Sequence, residues 1–196
     1  MHVELKEICG GWERGFVLDQ HSTASRPDGH YADGLPKFDT DYTEVGKAVN
    51  MLKYHGDFGQ VPALANAVCA HIVPHFGNVE LVIPMAASTK RPRQPVNALA
   101  AYIAKRLTIP IAKGFLVKAS GAQPLKELST REEKDMALQG KLSLAKELAG
   151  KGPYAVLLVD DLFETGASLD AACRVLREYE KIGAIYVAAL TWRRPR

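Results

Sequence analysis

The chain has 196 residues, 47% of them hydrophobic, and a formal charge of +3. That size suits one domain with a small added lobe, and the charge is too small to imply a nucleic-acid partner by itself. No run of about eighteen apolar residues calls for a membrane span, and Met1 to Gly11 lacks the basic start and apolar core of a secretory signal. Cys9, Cys69 and Cys173 form neither a C-x-x-C pair nor a zinc spacing. Reduced thiols in a cytoplasmic protein are the expectation, with Cys69 and Cys173 packing in apolar helical patterns.

In chain order, Phe16-Val17-Leu18 reads as a short strand, and Ser22 to Lys37 as a loop or hairpin. Val45, Val49 and Leu52 recur at helical spacing and predict a helix over Thr43 to Tyr54. A second helix is expected over Val61 to Phe76, with Pro62 tolerated in its first turn. His71 and His75 stand four apart in it, but Pro74 lies between them and no carboxylate follows at useful spacing, so a metal pair is not expected. Leu81 to Pro84 reads as a buried strand, Met85 to Arg93 as a loop, Pro95 to Leu107 as a helix and Ile109 to Val117 as a strand region. Residues 118–140 are polar with little periodicity, and a short helix is expected over Leu142 to Leu148. A strand over Val156 to Val159, a helix over Ser168 to Ile182 and a strand over Ala184 to Leu190 complete the pattern. Strands alternating with helices from residue 80 to 191 argue for an α/β fold, a Rossmann-like parallel sheet flanked by helices.

The densest chemistry lies in Val156-Leu157-Leu158-Val159-Asp160-Asp161-Leu162-Phe163-Glu164-Thr165-Gly166-Ala167-Ser168. An apolar strand delivers two acids to its C-terminal end, and a short loop with Thr and Gly then opens a helix. Ligands of parallel sheets bind at the strand C-terminal ends. Carboxylates there accept hydrogen bonds from hydroxyls, while backbone N–H groups at the helix start favour an anion. Such a place can hold a sugar together with its phosphate.

Those thirteen residues resemble the signature of the type I phosphoribosyltransferases, which use phosphoribosyl pyrophosphate (PRPP). The resemblance implies that Asp160 and Asp161 hold the ribose hydroxyls and that Glu164, Thr165, Gly166, Ala167 and Ser168 form the 5′-phosphate loop. Glu164 departs from the commonest pattern. It is either a general acid/base, as the acid there is in 6-oxopurine salvage members, or a loop residue facing solvent.

A second resemblance, over about residues 50–191, is to the ComF-type branch. It rests on Leu52-Lys53-Tyr54-His55-Gly56-Asp57, Val82-Ile83-Pro84-Met85, Arg91 and Arg93 before Asn97-Ala98-Leu99-Ala100, and Gln123-Pro124-Leu125, Leu128 and Arg131. Gln94-Pro95-Val96 departs from that branch, its N-terminal zinc ribbon is missing, and residues 1–50 match nothing in it. The family resemblance implies a small hood from residues 1–60 and a core from 61–196 with a mobile lid at 118–140. It implies a pyrophosphate loop with Ala86, Ala87, Ser88, Lys90 and Arg91, and lid charges Lys118, Lys126 and Arg131, of which Arg131 is the catalytic candidate. Mg²⁺ is the implied cofactor, with no direct protein ligand or with Asp160 and Asp161 acting through water. PRPP and a small nitrogen acceptor of the nucleobase kind are the implied partners, the acceptor lying under the hood, where Trp12, Phe16, Tyr31, Phe38 and Tyr54 are candidates to stack on it. A homodimer is common in the family. The alternative is a non-catalytic PRPP-binding regulatory module, some of whose relatives act on transcription. The tail Arg193-Arg194-Pro195-Arg196 has no nucleic-acid reader motif beside it.

Overall fold

Apolar runs too short for helices and rich in Val, Ile and Leu form the centre of the molecule. In a computed structural model, which describes residues 1–30, 33–89, 91–118 and 142–194, the elements run β1 (Lys6–Ile8), β2 (Arg14–Gln20), β3 (Ser22–His30), β4 (Pro36–Tyr42), α1 (Glu44–Tyr54), α2 (Val61–Ala67), β5 (Leu81–Pro84), α3 (Pro95–Leu107), β6 (Leu116–Lys118), β7 (Leu142–Leu144), β8 (Tyr154–Phe163), α4 (Ala167–Arg177) and β9 (Ile182–Trp192). One five-stranded sheet has the order β1-β2-β9-β8-β5. Strands β2, β9, β8 and β5 are mutually parallel and β1 is antiparallel at the edge. The β3–β4 and β6–β7 pairs are separate antiparallel ribbons. Of the first sixty residues, β1 and β2 therefore belong to the central sheet, and β3 and β4 stand outside it.

The strand period of two explains the two-sided core. Val156, Leu158, Ile185 and Val187 face one side with Leu169, Ala172 and Leu176 of α4. Leu157, Val159, Ala188 and Leu190 face the other with α1, α2 and α3. Both layers are fully buried, as continuous apolar runs in a parallel sheet require.

Several expected elements take a different form. The Val61–Phe76 helix is α-helical only to Ala67, then widens into a π turn over Val68–Ile72 and tightens to a 3₁₀ turn over Val73–His75. Pro74 has no N–H to continue the ladder, so the last turns cannot stay regular. The helix expected over Leu142–Leu148 is instead β7, paired with β6 through Leu144↔Leu116 and Leu142↔Lys118. Leu142 and Leu144, two apart, share one face of the ribbon. Only Ile111, bridged to Val82, and β6 are extended in the expected strand region 109–117. Helix α4 ends at Arg177, earlier than expected, and Gly183 lies within β9 rather than before it.

Candidate functional site

Strand β8 does not stop where its apolar run stops. It pairs with β9 as far as Phe163↔Trp192. Its other neighbour, β5, ends at Pro84↔Val159. Beyond Val159 no strand among the described residues pairs with that edge of β8, and Asp160 and Asp161 are held in extended backbone beside the loop that follows β5. Asp160 continues the α4-facing series of Leu158, and Asp161 continues the α1-facing series of Val159.

Lys53 pairs directly with Asp161, and the charges of Lys53 and Lys118 both act on Asp160. Lys53, in the last turn of α1, spans both oxygens of Asp161 at 2.9 and 2.8 Å. Thr43 places that helix: its hydroxyl caps the Gly46 N–H at 2.9 Å and donates to the Gln20 carbonyl at the end of β2 at 2.6 Å. Lys118, at the end of β6, donates to Ser88 Oγ at 2.8 Å, and its charge acts on Asp160. Burial, then the neighbouring Asp161 charge, pushes Asp160 up to about 7, against the opposing pull of Lys53 and Lys118. Burial alone would lower the Lys53 ammonium, but the Asp161 carboxylate outweighs it and the net shift is upward. Asp160 is therefore about half protonated near neutral pH, so it can either donate to or accept from a hydroxyl.

A cleft gathers Asp160, Asp161, Lys53, Ala86, Ala87, Ser88 and Arg91. Arg91 is fixed there by donating to the Lys53 carbonyl at 2.6 Å. Among the expected residues, the structure thus brings the two acids and the described part of the 86–91 loop together. Lys90, Lys126 and Arg131 lie outside the described residues, as do 119–140 of the expected lid. Glu164 to Ser168 do not line that cleft; they form the turn from β8 into α4. Gly166 there has φ +81, and a Cβ on it would press on the Phe163 ring at 3.2 Å, so glycine is required. Asp170, in the first turn of α4, is buried and accepts the Gly11 N–H at 2.7 Å, which ties this turn to the N-terminal segment.

Lys53 carries a site role that its motif did not reveal. It sits 108 residues before its partner, and only its place in the resemblance to Leu52-Lys53-Tyr54 drew attention to the segment. His21 is a second such residue. It is buried at the end of β2, and its Nδ1 lies 3.1 Å from Thr191 Oγ1, which in turn donates to the Asp161 carbonyl at 3.1 Å. Burial, then the charges of Arg193 and Lys53, pushes its imidazole down to about 4. Among the aromatic candidates, Trp12 and Phe16 are core: the Trp12 Nε1–H donates to the Ile8 carbonyl, and Phe16 packs on His75 and Phe76. Phe38 and Tyr54 are exposed. Tyr31 lies outside the described residues.

No protein-family profile and no curated protein matches the chain. Among solved structures it is similar to an adenine phosphoribosyltransferase at 15% identity, 86% of each chain covered and a TM-score of 0.48. A Trypanosoma brucei adenine phosphoribosyl transferase with AMP, pyrophosphate and ribose-5-phosphate bound gives 13% identity, 98% of this chain and 76% of that one, and a TM-score of 0.49. A Staphylococcus aureus hypoxanthine phosphoribosyltransferase gives 16%, 68% and 63%, and 0.42. At such distances neither a substrate nor the role of a residue transfers.

Proposed function

We propose that the chain is an enzyme, a glycosyltransferase of the phosphoribosyltransferase kind, which moves phosphoribose from PRPP to a nitrogen acceptor of the nucleobase type. One observation carries the reading: the paired acids Asp160 and Asp161 open into a cleft whose other wall holds small residues and fixed positive charge. Asp160 and Asp161 hold the ribose hydroxyls. Ala86, Ala87 and Ser88 leave room for pyrophosphate beside the loop backbone, and Arg91 supplies charge to it. Thr165 to Ser168 hold the 5′-phosphate at the start of α4. In the reaction the C1–O bond to pyrophosphate breaks, a C1–N bond forms and the acceptor nitrogen loses a proton, for which Glu164 is the candidate base. Positive charge builds on the sugar meanwhile, and the acids beside it favour that charge.

Two carboxylates in one cleft suit a hard, largely hydrated Mg²⁺ and not a closed protein cage. Asp160 and Asp161 would hold it through water, and it would neutralise the leaving pyrophosphate. Asp161 already has Lys53 as a counter-ion, so the protein's own contribution is to hold that carboxylate in place at the cleft. The kinship with the ComF-type branch belongs to the same proposal, supported by the motifs between residues 52 and 131.

Calorimetry with PRPP and Mg²⁺ tests the donor site. Binding is expected for the native chain and is expected to vanish in the Asp160→Asn, Asp161→Asn double variant. Equal binding by the variant would reject the site. Pyrophosphate release on adding a panel of bases separates the enzyme from a regulatory module that only binds the donor.

A further inference from the structure

A cavity of about 470 Å³ opens where β2 and β9 end, against the β3–β4 ribbon. Gln20, His21, Phe38, Tyr42, Arg193 and Arg194 are among the residues lining it. It stands next to the acid cleft, because Thr191 bridges the two: its hydroxyl touches both His21 and the backbone of Asp161.

The hydrogen bonds fix the chemistry of the His21 wall. The Thr191 hydroxyl has one proton, and the Asp161 carbonyl can only accept, so that proton is committed to it. The short contact from His21 Nδ1 to the same hydroxyl therefore requires Nδ1 to be the donor. In a neutral imidazole the other nitrogen, Nε2, is then an acceptor, and among the described residues it has no partner. The imidazole is neutral at physiological pH because burial holds it well below its ordinary range.

The opposite signal comes from the β9 exit. Among the described residues none that lines the cavity is an acid, and neither Arg193 nor Arg194 forms an ion pair. Arg193 is anchored by its backbone N–H to the Phe163 carbonyl at 3.0 Å, so its guanidinium is delivered at the sheet edge. Phe38 and Tyr42 add aromatic surface on the ribbon side.

We infer that this cavity is the acceptor subsite and that it selects a planar nitrogen heterocycle carrying a carboxylate, with a ring N–H donated to His21 Nε2 and the anion set against Arg193 and Arg194. The inference rests on the phosphoribosyl-transfer reading and narrows its acceptor from any base to an acidic one.

Matched pairs differing only by the carboxylate test it: uracil against orotate, imidazole against imidazole-4-carboxylate, and purine against purine-6-carboxylate. Calorimetry in the presence of PRPP and Mg²⁺ is expected to show at least one acid binding about tenfold or more tighter than its parent. Arg193→Gln with Arg194→Gln is expected to erase that preference while leaving PRPP affinity unchanged. Nitrogen-15 NMR of His21 is expected to show the Nδ1-protonated tautomer. The inference is overturned if no acid outbinds its parent, if the preference survives in the arginine variant, or if the Nε2-protonated tautomer is found. Loss of PRPP binding in the native chain would instead reject the donor-site reading, so the two failures are distinguishable.

Discussion

Asp160 and His21 give the molecule two opposed pH responses. Asp160 has its affinity for a proton raised by folding, so the native state binds more protons than the unfolded chain between about pH 4 and 7. Its contribution is favourable at low pH and is lost as pH rises through that window. His21 is held down to about 4, so the unfolded chain binds the extra proton, and stability is lost as pH falls below about 6.5. Asp160→Asn removes the first response alone. We expect it to raise the melting temperature by a few degrees at pH 8 and by little at pH 4, read by calorimetric scans at both values. Such a gain would mark the acid as held against its own stability for function. Asp160 itself stood out in the sequence, because two acids after an apolar strand are conspicuous. Neither Lys53 nor His21 did, since a lysine in an amphipathic helix and a histidine after a strand look like solvated residues until their partners arrive from far along the chain.

Helix α1 is the element that sets the site. Its N-terminus is tied to the end of β2 through Thr43 and its C-terminus delivers Lys53 to Asp161. Gly46 permits this: a Cβ there would fall 1.8 Å from the His21 carbonyl oxygen. On helix propensity alone Gly46→Ala would gain up to about 1 kcal/mol. The contact reverses the sign, and we expect a loss of about 1–3 kcal/mol in urea unfolding, with weaker PRPP binding because Lys53 moves with the helix. The period of α1 was legible in the sequence. The following helix was expected to run regularly to Phe76, and neither its π turn after Ala67 nor its 3₁₀ turn over Val73–His75 was anticipated. The β7 ribbon strand was mistaken for a helix because three residues hold too little pattern to separate a period of two from one of 3.6.

Across the whole molecule, one sheet buried on both faces makes each strand position essential to a different layer. Leu157 packs toward α1, α2 and α3, and Leu158 toward α4, both fully buried. Leu157→Ala and Leu158→Ala are each expected to cost about 2–5 kcal/mol in denaturant unfolding. A sheet with one wet face would show a large loss for only one of them. The alternation of apolar strands with amphipathic helices determined the α/β sheet, and the run from Val156 to Ser168 determined that a buried strand ends in two acids before a helix, because backbone propensity, burial and motif are all local along the chain. Tertiary structure alone decided that residues 6–20 join the central sheet, that β5 ends where the acids begin, that Lys53 faces Asp161, and that Thr191 sets the tautomer of His21. Those facts depend on strand order and register, which bring together residues as far as 170 positions apart, and no local pattern encodes such a distance.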